Sequence, residues 1–155
     1  MSSLIWWGGQ SYAAVAPPEQ WSEIVEKKHM QCEDGNMSQM TSCMSEELAE
    51  SDARLNLVYQ TLLRALLKPQ PLQAAQRAWL AYRDKECAFQ TSSMEGGSGY
   101  SFSQDLCLLR FTERRIAELE QNGPCNGCVE FKPQFYTEPG FHFPPRTTAG
   151  ARKGR

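Results

Sequence analysis

Apolar residues recur at helical spacing along most of the chain. In the longest such stretch, from Ser45 to Lys68, the apolar positions are Leu48, Leu55, Tyr59, Leu62 and Leu66. This spacing places the side chains on one face of an amphipathic helix. Ser45 is the predicted N-cap, and Pro69 and Pro71 end the helix.

Three more helices are predicted around this one. A short helix covers Glu19 to Met30. A second long helix runs from about Pro71 to Cys87 or Phe89, with an inner face formed by Leu72, Ala75, Gln76, Trp79 and Tyr82 or Arg83. A third runs from about Ser103 to Gln121, with Leu106, Leu109, Ile116 and Leu119 as its apolar stripe. The intervening residues 91–100 are rich in glycine and polar side chains, which predicts a flexible loop.

These patterns predict an all-α fold, because no stretch carries a convincing strand signal. We expect a small disulfide-stapled bundle of three main helices, with a short N-terminal helix and an irregular C-terminal tail. Residues 1–18 read as a leader or signal-like segment, and residues 19–122 as the helical domain. Residues 123–155 read as a tail rich in proline, glycine and aromatic residues, partly disordered.

The first 16 residues have the apolar character of an export signal, and Ala14-Val15-Ala16 matches the small-x-small cleavage pattern. A charged region before the apolar run is missing, and Gly8-Gly9 dilutes that run. The competing interpretation is an ordinary terminus. We expect a periplasmic or secreted protein of the bacterial envelope, without a membrane span.

Charge is distributed unevenly. The formal net charge is -2. Residues 123–155 carry five basic and two acidic side chains, so residues 1–122 carry 11 basic and 16 acidic ones. An acidic body favours a basic protein partner and argues against nucleic acid, which requires a basic stripe.

Six cysteines are many for 155 residues. They are Cys32, Cys43, Cys87, Cys107, Cys125 and Cys128. An even number at wide spacing indicates a disulfide framework formed in an oxidising compartment, although six cysteines allow 15 connectivities. Structural zinc is the rival interpretation, but the single Cys125-x-x-Cys128 has no second such pair and both histidines are isolated. We therefore expect neither metal nor cofactor.

Neither a Ser-x-x-Lys nor a Gly-x-Ser-x-Gly nucleophile motif is present, so we expect no catalysis. Asp52 interrupts the apolar stripe between Leu48 and Leu55, and a carboxylate in that position requires a partner such as an arginine from another helix. A carboxylate-based hydrolase using Asp52, Asp84 and Glu86 is conceivable, but the neighbouring arginines favour salt bridges instead.

Several motifs together resemble those of the LprI-type lysozyme-inhibitor family, small exported α-helical proteins of bacteria. The resemblance covers about residues 30 to 120 and rests on Cys32, Gln39-Met40, Cys43, Asp52, Leu55-Asn56, Tyr59, the run Gln76-Arg77-Ala78-Trp79-Leu80-Ala81-Tyr82-Arg83-Asp84, Cys87, Gly96-Gly97-Ser98, Cys107, Thr112, Arg115 and Leu119. Cys125, Cys128 and the aromatic tail lie outside the family pattern. The resemblance implies a protein that binds and inhibits a lysozyme or a related peptidoglycan hydrolase. The alternatives are an envelope structural or interaction module, docking through its aromatic tail from Phe131 to Phe143, and an immunity protein against a secreted toxin.

Within this framework, we expect each cysteine to pair with its nearest neighbour in sequence, so that Cys87–Cys107 ties the second long helix to the third. The tentative partner-binding residues are Ser98, Tyr100 and Ser101 of the glycine-rich loop, together with Trp79 and Tyr82. A polar network among the helices is expected to include Asp52, Asn56, Tyr59, Trp79, Arg83, Asp84, Thr112 and Arg115. The oligomeric state is not predicted by the sequence.

Overall fold

The protein is all-α, as the apolar periodicity predicts. A computed structural model describes residues 19–121, 129–135 and 143. Within these residues the long helices are α1 (Glu19–Gln31), α2 (Met37–Ala65), α3 (Gln70–Gln90) and α4 (Tyr100–Gln121), with two short 3-10 turns at Ser92–Met94 and Pro133–Phe135. None of the described helices is apolar over a length that would cross a membrane. The predicted leader, Cys125 and Cys128 lie outside the described residues.

Helix α4 is the centre of the bundle, because it contacts each of the other three long helices. Its fully buried side chains Leu109, Ile116 and Leu119 face α2. The main core cluster consists of Leu55, Val58, Leu62, Ala65, Leu66, Ile116, Leu119 and Phe131. A second, smaller cluster consists of Cys32, Met44 and Leu109. Burial of these apolar side chains holds the helices together.

Helix α2 begins eight residues before the predicted N-cap at Ser45, so that prediction was wrong. The actual N-cap is Asn36, whose side chain accepts a hydrogen bond from the backbone N–H of Gln39 at 3.1 Å. The Gln39 side chain in turn accepts from the Asn36 N–H at 2.9 Å. This capping box satisfies two backbone donors that a helix start otherwise leaves unpaired. The capping box with Gln39 at the third helical position explains why α2 begins at Met37, upstream of the predicted start.

Two disulfides have the expected nearest-neighbour pairing. Cys32–Cys43 joins the residue after α1 to the second turn of α2, with a Cα–Cα distance of 5.4 Å. Cys87–Cys107 joins the last turn of α3 to the third turn of α4, at 5.6 Å. Their sequence separations are 11 and 20 residues. In the chain-entropy model, each bridge contributes about 3 kcal/mol to stability.

The glycine-rich connection between α3 and α4 is shorter than predicted, because α4 begins at Tyr100 rather than Ser103. The connection contains a 3-10 turn, and the Gly97 N–H donates to the Met94 carbonyl at 2.9 Å. Gly96 has φ of +80°, a backbone conformation that glycine adopts without the steric cost of a side chain. The connection is therefore built from defined turns.

The segment around Phe131, which lies within the predicted tail region 123–155, contributes a side chain to the core. Phe131 is 4% exposed and forms a β-bridge with Leu66. The Lys132 N–H donates to the Ala65 carbonyl at 2.9 Å, and its Nζ donates to the Arg64 carbonyl at 2.8 Å. Carbonyls in the last turn of a helix lack intrahelical partners. Lys132 thus completes the C-terminal end of α2.

Candidate interaction surfaces

Arg83 joins three helices through one guanidinium group. From α3, its Nη1 donates to Asp52 Oδ1 of α2 at 2.9 Å and to Thr112 Oγ1 of α4 at 3.0 Å. Thr112 donates in turn to Asp52 at 3.2 Å. The Nε of Arg83 binds Asp84 Oδ1 at 3.0 Å. Because Arg83 is only 9% exposed, these bonds offset the cost of burying its charge.

Trp79 lies beside this network and is packed against the core. The guanidinium carbons of Arg83 and Arg115 lie 5.3 and 5.7 Å from its ring centroid, within cation–π range. Arg115 donates from Nε to Gln76 at 3.1 Å and from Nη1 to Glu118 at 3.2 Å. Trp79 also packs against the main core cluster. Its surroundings are those of a structural side chain.

Two residues of the expected network lie apart from it. Asn56 is exposed on α2, and Tyr59 packs against the main core cluster. The three carboxylates of the conceivable hydrolase are also engaged elsewhere. Asp52 and Asp84 both bind Arg83, and Glu86 accepts a hydrogen bond from Gln90 at 2.8 Å. This arrangement is the salt bridging that the neighbouring arginines favoured.

Tyr82 differs from Trp79 in its surroundings. Tyr82 is 52% exposed, and its ring meets that of Phe111 edge to face, with the ring centroids 5.8 Å apart. The two residues are three positions apart on α3, but only Trp79 packs against the main core cluster. Trp79 therefore contributes to the core, whereas Tyr82 lies mostly at the surface.

The glycine-rich connection lies next to the α1–α2 connection at one end of the bundle. A Cβ atom placed on Gly99 would lie 3.5 Å from the methyl of Met94 and 3.9 Å from that of Met37. Ser98 and Ser101 are exposed, whereas Tyr100 is half-buried at the first position of α4. A disulfide anchors each connection. We call this end, residues 32–37 and 91–101, the loop end.

A buried carboxylate that the sequence analysis missed lies in the middle of α4. Glu113 is 1% exposed and accepts a hydrogen bond from Ser51 of α2 at 2.6 Å. The sequence contains a signal for its burial: Glu113 follows Leu109 by four residues and precedes Ile116 by three, which places it on the apolar face of the helix. The same reasoning that singled out Asp52 on α2 applies to it. Arg54–Glu120 and Lys28–Glu47 add further ion pairs between helices.

Asp105 has an altered acidity at the start of α4. Partial burial raises the pKa of its carboxyl, and a hydrogen bond with the Ser45 side chain opposes that rise. Desolvation disfavours the charged form of a carboxyl group, which explains the direction. Among the described residues, no group of three or more His, Cys, Asp and Glu side chains is placed to hold a metal ion.

These features define a small all-α domain, closed by two disulfides and rich in inter-helix ion pairs. The family model described as lysozyme inhibitor LprI matches residues 30–119, more than half of the chain. The protein belongs to this family. It is also similar to an uncharacterized protein of Rhizobium meliloti (strain 1021), with 29% identity over 94 residues that cover 51% of this chain and 68% of that protein. No solved structure matches the chain significantly.

Proposed function

We propose that this protein is exported and that it binds and inhibits a lysozyme or related peptidoglycan hydrolase, without catalysis of its own. The observation that carries the proposal is the match to the lysozyme-inhibitor family over residues 30–119. That match includes both disulfides and the Arg83 network. Inhibition through binding requires an exposed surface that fits the hydrolase.

Export is supported by the disulfides. Cys32 and Cys87 are 1% and 0% exposed, so each bridge lies within the packed bundle. Structural disulfides persist in oxidising compartments and are rare in the cytosol. The envelope is also the compartment in which peptidoglycan hydrolases act. Location and proposed partner therefore agree.

The loop end is the surface that we assign to the hydrolase. Ser98 is exposed there, and Met37 and Met94 expose 39% and 40% of their surface. The exposed carboxylates Glu33, Asp34 and Glu95 lie in the same two connections. Acidic groups around an apolar patch favour association with a basic protein through long-range attraction. The two disulfides limit the entropy that such connections would lose on binding.

A panel of lysozymes tests the proposal. Cell-wall lysis by c-type, g-type and phage-type lysozymes is measured with increasing amounts of the oxidised protein. We expect dose-dependent inhibition of at least one class, weakened by added salt because charge steers the association. Activity of every class at full rate with the protein in excess would overturn the inhibitor function.

Substitutions in the loop end test the assigned surface separately. Ser98→Ala with Tyr100→Ala should raise the inhibition constant about tenfold or more, since two hydroxyl contacts are lost. The control is Gln60→Ala, an exposed residue of α2 that lies outside the loop end. Circular dichroism of the double variant checks that replacing the half-buried Tyr100 leaves the protein folded. Equal inhibition by the folded double variant and the wild type would remove the loop end from the interface.

A further inference from the structure

A second surface lies on the flank of the bundle, where α1 and α3 border α4. A recess of about 150 Å³ opens there, lined by Trp21 of α1, Gln90 of α3, and Cys107, Arg110, Phe111 and Arg114 of α4. It combines aromatic rings, guanidinium groups and an amide, the side-chain types that recognise polar ligands with apolar faces. We call these residues, with Tyr82 and Phe89, the aromatic flank.

Exposed aromatic rings extend the recess along α3. Tyr82 is 52% exposed and touches Phe111, and Phe89 is 73% exposed. Phe89 follows Tyr82 by seven positions, which places the two residues on the same side of the helix, about 10 Å apart along its axis. An exposed phenylalanine on a small soluble domain calls for an explanation when it continues such a row. The row suits a ligand with repeated rings.

The charge of the aromatic flank is opposite to that of the molecule. The chain has a net charge of -2, whereas the recess presents Arg110 and Arg114. Arg114 lies over the Phe111 ring at 4.8 Å and 3.6 Å from Glu118. Arg110 is exposed and forms no ion pair with the described part of the chain. A guanidinium group in this setting is available to bind an external carboxylate through two parallel hydrogen bonds.

We propose that the aromatic flank binds a carboxylate-bearing glycan strand, the chemistry of peptidoglycan. Sugar rings present C–H faces that pack on Tyr82, Phe89 and Phe111, while carboxylates of the peptides attached to those sugars bind Arg110. The recess has room for one group the size of a ring. This size suits one unit of a longer polymer better than a helix or strand of a protein partner. This binding needs no hydrolase and would hold the inhibitor where hydrolases work.

Co-sedimentation with purified, hydrolase-free peptidoglycan sacculi tests the proposal. The full-length oxidised protein should sediment with the sacculi, and Arg110→Gln should weaken the apparent affinity about tenfold through loss of a charge-assisted contact. Tyr82→Ala should weaken it as well. The matched control is Arg77→Gln, which removes an exposed arginine of α3 outside the recess and should sediment like the wild type.

Three further probes separate the ligand classes. Chitin has a comparable uncharged glycan backbone, and equal binding to chitin would overturn the role of the carboxylates. If polyglutamate competed with the sacculi as well as soluble peptidoglycan fragments do, the role of the sugar rings would be overturned, since polyglutamate carries carboxylates without sugar rings. Binding to vesicles of anionic phospholipid, with none to sacculi, would replace the glycan with a membrane surface. Lysozyme inhibition is measured independently, so either activity can fail while the other stands.

Discussion

At the scale of single residues, the bundle depends on one guanidinium group placed between three helices. Arg83 reaches Asp52 and Thr112 on two other helices while it also binds Asp84. A planar group with several fixed donors can do this, whereas the ammonium of lysine is a compact point charge. Its position over Trp79 adds a cation–π contact that favours arginine further.

Replacing Arg83 by lysine tests this role. Arg83→Lys keeps the charge, but one ammonium group cannot replace the hydrogen bonds that Nη1 and Nε make together, and it cannot stack on Trp79. We therefore expect a free energy of unfolding lower by about 2 kcal/mol. Urea denaturation of the oxidised protein measures it. Arg77→Lys, at an exposed position of the same helix, should change stability by less than about 0.5 kcal/mol. Equal stabilities of the two variants would mean that the network contributes only charge.

Asp105 predicts a specific dependence on pH. Because burial raises the pKa of this carboxyl in the folded state, protonation favours folding. Its contribution is complete below the unfolded pKa and is lost as pH rises through the folded pKa. Asp105→Asn removes this loss while its amide can still bond with Ser45. The variant should therefore gain melting temperature relative to wild type between about pH 3 and about pH 7.

The exposed Asp34 provides the control for that experiment. Asp34→Asn should show a smaller change in relative melting temperature across the same pH range. Thermal unfolding followed by circular dichroism gives both comparisons. A pH-independent difference between Asp105→Asn and the wild type would contradict the effect of burial.

At the scale of elements, the start of α2 is the clearest difference between expectation and structure. The apolar stripe points to Ser45, but the Asn36–Gln39 capping box starts the helix at Met37. The early start places Cys43 on a helix, so the Cys32–Cys43 bridge ties the residue after α1 directly to α2 instead of closing a simple loop. Local side-chain bonding to the backbone decided where the helix begins.

Substituting two asparagines of the same region compares a cap with a helix interior. Asn36→Ala should lower the free energy of unfolding by about 1 kcal/mol, because the hydrogen bond from the Gln39 N–H to the Asn36 side chain is lost. Asn56→Ala, at an exposed position inside α2, should be neutral or slightly stabilising because alanine has the higher helix propensity. Chemical denaturation distinguishes them. A cost at Asn56 equal to that at Asn36 would contradict the assignment of the cap.

At the scale of the whole molecule, the helical bundle is completed by a segment that lies beyond the family match. Phe131 enters the main core cluster, and Phe135 and Phe143 pack against it. Phe131 therefore cannot also be presented to a partner, which weakens the alternative of an interaction module docking through Phe131 to Phe143. Removal of residues 123–155 would expose the core as well as delete a tail.

Two phenylalanine substitutions measure this contribution. Phe131→Ala leaves a cavity in the core and should lower the free energy of unfolding by about 3 kcal/mol or more. Phe89→Ala removes the same ring from a position that is 73% exposed and should have little effect on stability. Differential scanning calorimetry of both variants provides the comparison. A stability of Phe131→Ala equal to that of Phe89→Ala would place the segment outside the cooperative unit.

Much of the fold follows from the sequence because its signals are local. The apolar periodicity determined four helices, and Pro69 and Pro71 marked the boundary between α2 and α3. The carboxylate in the stripe of α2 led correctly to an arginine partner for Asp52. The helices and the stripe position of Asp52 follow from residues within one or two helical turns, where the spacing by itself determines which side chains share a face. That the partner is Arg83, 31 positions away, is decided by the packing of the helices.

Tertiary structure decided what depends on distant residues. It buried Arg83 and left Tyr82 exposed, and it brought Phe131 to the end of α2. It also paired Ser51 with Glu113, which are 62 positions apart. The physical reason is that helical spacing determines the neighbours within an element, whereas burial depends on which elements meet. That meeting is determined by the packing of the whole chain, which no local pattern contains.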